Sequence, residues 1–184
     1  MFLSTLIESR QNDITIKGVD YDVLKSLVDF CYTSSIKIES SNVLELLSAS
    51  NMLQFDGIKH CCSEFLGHRL DPSNCLTIAN FADLHTCGTL KDSAIEFSKR
   101  NFRQVIQSED FLSVTFEQIK ILLQSDVILV TSEIDIFHAI VTWTHADEDG
   151  RLQYFNELFQ LIRFLDLPPK LIGKHVDWII SLDF

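Results

Sequence analysis

Basic residues are scarce in this sequence: 15 Lys and Arg stand against 26 Asp and Glu among 184 residues, a net charge of −11. That balance repels phosphate backbones and anionic bilayer surfaces, so neither nucleic acid nor membrane is an expected partner. A cationic stretch on another protein is the favoured kind of contact. Long apolar runs are missing too, and none approaches the roughly 20 residues that a membrane-spanning helix requires. The opening Met1-Phe2-Leu3-Ser4-Thr5-Leu6-Ile7-Glu8 lacks the basic start and apolar core of a signal peptide, which predicts a cytoplasmic or nuclear location. The six glycines are scattered and build no phosphate cradle.

Recognisable chemistry is equally sparse. There is no nucleophile elbow, no Gly-rich phosphate loop and no H-E-x-x-H helix. Five cysteines are present, an odd number, with no C-x-x-C spacing, and the adjacent Cys61 and Cys62 cannot bridge without strain. They read as reduced, mostly buried small hydrophobes. The nearest approach to a metal set is His60-Cys61-Cys62 with His85 and Cys87, but zinc needs four converging ligands and these cysteines fit helical core positions. No catalytic residue, metal or cofactor is therefore expected, and the chain does not read as an enzyme.

What the sequence has is apolar content, 46% with 14 Phe, in helical spacing. The one strand signal is Ile14 and Ile16 alternating with Thr15 and Lys17 before Gly18. From Asp20 as N-cap, Leu24, Leu27, Val28 and Cys31 predict one face of a helix that Thr33-Ser34-Ser35 ends. Ser40 and Ser41 offer caps for a second helix with Val43, Leu46, Leu47 and Leu53. A third buries Ile58, Cys61, Cys62, Phe65 and Leu66. Asp71 and Pro72 then predict a helix start, with helices near 73–85 and 89–102 separated by Gly88. Thr115 and Gln118 form a capping box. Ser132 caps a helix through Trp143 with so wide an apolar face that it should be the most buried of the second half. Asp147-Glu148-Asp149-Gly150 closes that helix in a solvated turn. A last stripe of Phe155, Leu158, Phe159 and Ile162 precedes Pro168-Pro169, which forbid its continuation. Trp143 reads as core; the role of Trp178 is open. The architecture expected is mainly α, short helical hairpins stacked side by side.

Several stretches carry a family resemblance. Val28-Asp29-Phe30-Cys31-Tyr32-Thr33-Ser34 resembles the "FxYTG"-type segment of BTB domains. Leu70-Asp71-Pro72-Ser73-Asn74-Cys75 is similar to the junction between BTB and BACK in Kelch-like proteins, and Ala79-Asn80-Phe81-Ala82-Asp83-Leu84-His85 to the early BACK helix. Val141-Thr142-Trp143 and Leu165-Asp166-Leu167-Pro168-Pro169 resemble later landmarks. The resemblance implies a partial BTB domain at 1–70, lacking its early strands and helices, a BACK domain at 71–175 and a C-terminal tail at 176–184, with no Kelch repeats. It also implies that BTB homodimerisation is weakened by the shortened start.

In function it implies a non-catalytic substrate-adaptor fragment of a cullin-3 ubiquitin ligase. The partner-binding residues it indicates are Leu6, Ile7 and Glu8, matching a hydrophobic-x-Glu motif that grips the cullin-3 N-terminal domain, together with Tyr32. The alternative is a structural or transcriptional BTB-BACK scaffold that meets no cullin.

Overall fold

The computed structural model describes residues 16–124 and 133–162, and every regular element among them is helical. Ten helices follow in order: α1 (Tyr21–Thr33), α2 (Val43–Leu53), α3 (Asp56–Gly67), α4 (Cys75–Leu84), α5 (Gly88–Arg100), α6 (Phe102–Val105), α7 (Glu109–Leu112), α8 (Phe116–Leu123), α9 (Glu133–His145) and α10 (Glu148–Phe159). The fold is mainly α, as its spacing predicts. Ile14 and Thr15 of the expected strand lie outside the described residues, and Ile16 and Lys17 belong to no strand. The contacts divide the chain into two compact units between Phe65 and Leu66.

In the first unit α1 packs against α2. Asp20 caps α1, its carboxylate accepting the Asp22 N–H at 2.9 Å. The helix closes on Ser34 in the left-handed region at φ 54°, whose N–H reaches the Phe30 carbonyl. The buried face differs from the expected stripe. Val23 and Leu27 are buried, whereas Val28 and Cys31 are exposed. The apolar residues of α1 lie on two sides of the helix, and spacing alone could not choose between them. In α2, Val43, Leu46 and Leu47 are buried as expected, but the N-cap residue is Asn42 rather than Ser40 or Ser41. In α3, Ile58 and Cys62 are buried while Cys61 is exposed, because adjacent helical residues point about 100° apart.

In the second unit α4 pairs with α5 and α9 with α10. The start of α4 departs from expectation. Asp71 caps only a local turn, accepting from the Ser73 N–H at 3.0 Å and the Ser73 hydroxyl at 2.7 Å. The helix begins at Cys75, and its free N–H groups are met from a distant segment: one oxygen of Asp110 accepts from Leu76 N–H at 3.0 Å and Thr77 N–H at 3.1 Å. The Thr77 hydroxyl donates to the other oxygen. The break before α5 falls at His85 to Cys87, with Thr86 at φ 56°, and Gly88 opens α5 instead of separating the helices.

The Thr115–Gln118 capping box forms with both bonds present. α9 buries seven residues, more than any other described helix, as its wide apolar face predicts. The acidic run after it starts α10 and is no closing loop: the Asp147 carboxylate accepts the Gly150 N–H. Ser132 and Pro168-Pro169 lie outside the described residues.

Phe102, Phe111, Phe137, Trp143 and Phe155, each at most 1% exposed, dominate this unit's core. Each such ring contributes about 1.5–3 kcal/mol by leaving water. Trp143 is core, as expected, and its indole N–H is satisfied by the Val114 carbonyl at 2.9 Å. Arg151 lies 4.4 Å from the centre of that ring and donates to the carbonyls of Trp143 at 2.9 Å and Leu112 at 2.7 Å. One guanidinium thus ties α10 to α9 and to the end of α7.

Candidate protein-docking surface

The described residues offer little to a reaction. No three His, Cys, Asp or Glu side chains among them converge as a metal requires. His60 pairs with Glu64 at 3.6 Å, one turn along α3. Cys62, Cys75 and Cys87 are buried and Cys31 and Cys61 exposed, so two of the five depart from the buried role expected. Burial, reinforced by the nearby Asp110 charge, pushes the Cys75 thiol up to about 11, the opposite of an activated nucleophile.

Two cavities among the described residues are equally unreactive. One of about 110 Å³ lies between α4, α5 and α8, with Asp83 and Lys91 on its rim paired to each other at 2.7 Å. A second of about 420 Å³ beside Trp143 and Tyr154 is open to solvent, and its Arg151 is committed to backbone carbonyls. Neither gathers unpaired acids and bases around a common point.

The notable surface is on α1. Tyr21 is 73% exposed, Val28 47% and Tyr32 86%, with Lys25 exposed between them. At 100° per residue these four positions fall within an arc of about 60°, opposite the buried Val23 and Leu27. Two tyrosines and a valine at the solvent are what protein–protein contacts use, since aromatic rings bring large area at small entropy cost. The remaining sequence-predicted contacts, Leu6, Ile7 and Glu8, lie outside the described residues, as does Trp178. Tyr21 and Val28 were not among the expected site residues, because an apolar residue at helical spacing reads as core until its helix has been docked.

A family model described as BACK, "BTB And C-terminal Kelch", matches residues 75–177. A second, the BTB/POZ domain, matches residues 1–70.

Proposed function

The chain belongs to the BACK family, with a BTB domain ahead of the BACK domain, and from that membership we propose that it is the adaptor of a cullin-3 ubiquitin ligase. BTB and BACK domains are interaction modules without catalytic chemistry of their own, and BTB domains mediate both protein binding and dimerisation. In this reading the BTB part grips the cullin-3 N-terminal domain through Leu6, Ile7, Glu8 and Tyr32. The BACK helices, running from α4 onward, set the distance between the cullin and the bound substrate. No bond is made or broken by the adaptor. It raises the local concentration of substrate lysines near a charged ubiquitin-conjugating enzyme. Its domains follow the division at 1–70 and 71–175, and its place of work is the cytoplasm or nucleus.

The observation that supports this reading best is the 86% exposure of Tyr32 at the end of α1, inside the BTB match. A tyrosine held on a capped helix and left in water is a poor core residue and a good anchor. An apolar side chain beside a carboxylate, as in Leu6-Ile7-Glu8, suits the rest of the grip: one fills a pocket and the other fixes register.

The test is direct binding of the cullin-3 N-terminal domain to the full chain, compared with Leu6→Asp, Glu8→Ala and Tyr32→Ala. Loss of about tenfold or more in affinity for each variant is expected, the scale of a central interface residue. Equal affinity across all four proteins removes these residues as the contact.

A further inference from the structure

The cavity of about 110 Å³ between α4, α5 and α8 assembles no reaction, but its lining selects a shape and a polarity. Leu76, Ala79, Val114 and Leu122 are buried along it, with half-buried Ile95 beside them. Ser98, the polar residue of this floor, is fully buried and spends its hydroxyl proton on the Ile95 carbonyl at 2.7 Å. An apolar cavity of about 150 Å³ takes a benzene ring, so this one suits a slightly smaller group such as isobutyl.

The other polar groups stand at the mouth, where Asn80, Asp83 and Ile121 are exposed. Gln118 donates its side-chain N–H to the Asn80 amide oxygen and accepts the Thr115 N–H at 2.8 Å. Lys91 donates to one Asp83 oxygen at 2.7 Å. The Asn80 side-chain NH2 and the second Asp83 oxygen are left without a protein partner among the described residues. These two residues are three apart in α4, so a donor and an acceptor sit side by side on one face of the helix. The Asp83–Lys91 pair leaves little net charge at the mouth, and an ionised ligand gains nothing there to offset its dehydration.

From this lining we infer that the cavity binds a small neutral amide carrying one branched alkyl group. The alkyl group fills the floor, the amide carbonyl accepts from Asn80 and the amide N–H donates to Asp83. A helix or strand of another protein needs a groove for several side chains, whereas this cavity holds one. The binding is non-covalent and independent of the adaptor reading.

The full chain, with isotopically labelled methyl groups, is titrated with isovaleramide and followed by NMR at Leu76, Ile95, Val114, Ile121 and Leu122. Saturable shifts at these methyls are expected in the millimolar range. Acetamide lacks three of the ligand's carbons, each worth roughly fourfold when buried, and is expected to bind at least about tenfold more weakly. Isovalerate and isopentylammonium, the charged counterparts, are expected to bind more weakly by about fivefold or more. Asn80→Asp keeps the acceptor for Gln118 but turns the free donor into an acceptor, and is expected to weaken isovaleramide binding at least about fivefold. Ala79→Leu fills the cavity and is expected to abolish binding. Circular dichroism melts check that both variants fold, and Asn80→Asp, at an exposed position, decides if Ala79→Leu does not.

No shift at these methyls up to tens of millimolar overturns the inference. So does equal binding of acetamide or of either charged counterpart, or unchanged binding in Asn80→Asp. N-acetyl-leucine methylamide presents the same isobutyl group on a peptide backbone. Tighter binding by it than by isovaleramide makes the occupant a peptide side chain and overturns the inference too.

Discussion

Cys75 shows at the scale of one side chain how burial sets chemistry. Its folded thiol keeps its proton up to about 11, against an ordinary value of 9.0. Its contribution to stability is therefore intact below 9.0 and is lost as pH rises through 11. Near neutral pH this thiol stays protonated, and Cys62 and Cys87 are shielded by packing. Iodoacetamide treatment of the native chain at about pH 7.5, read by mass spectrometry, is expected to modify Cys31 and Cys61 alone. Labelling of Cys75 at a comparable rate contradicts the burial described here. The composition and spacing of the cysteines marked them as mostly buried small hydrophobes. They did not say which ones face water, because Cys31 and Cys61 sit in helices whose orientation depends on what packs against them.

At the scale of the element, helix ends divide into two kinds. The Thr115–Gln118 box and the Asp20 cap are local: donor and acceptor lie within three residues, so the pattern in the sequence is the bond in the structure. The start of α4 is of the other kind. Asp71 and Pro72 look like a cap and a first helical residue, yet the carboxylate that meets the free N–H groups comes from Asp110, more than thirty residues away. Nothing in the linear pattern joins those positions. Asp110→Ala is expected to destabilise the folded chain by about 1–2 kcal/mol, the usual cost of a lost N-cap, measured by urea denaturation. Asp71→Ala is the control at the turn. Should it cost as much as Asp110→Ala, the assignment of the α4 cap is wrong.

At the scale of the whole molecule, apolar burial is unevenly shared. α1 buries only Val23 and Leu27, while α9 buries seven residues including Phe137 and Trp143. Local opening costs least where few apolar contacts must be broken. Native-state hydrogen exchange is therefore expected to be faster by orders of magnitude for the amides of α1 than for those of α9, and equal protection of the two helices contradicts this. The contrast is one of anchoring: α1 is held by two buried residues, whereas in the second unit Arg151 alone bridges three segments.

Helix content was legible from residue type and periodicity, and the order of the two domains from the short stretches that carry the family resemblance. Each of these is a short-range property of the chain, since a 3.6-residue stripe and a local cap need no knowledge of the fold. Tertiary structure alone decided which of two apolar faces on α1 meets the core and which side of α3 Cys61 occupies. It also brought Asp110 to the head of α4. Those outcomes depend on contacts between residues far apart in sequence, and such contacts exist only once the helices have packed.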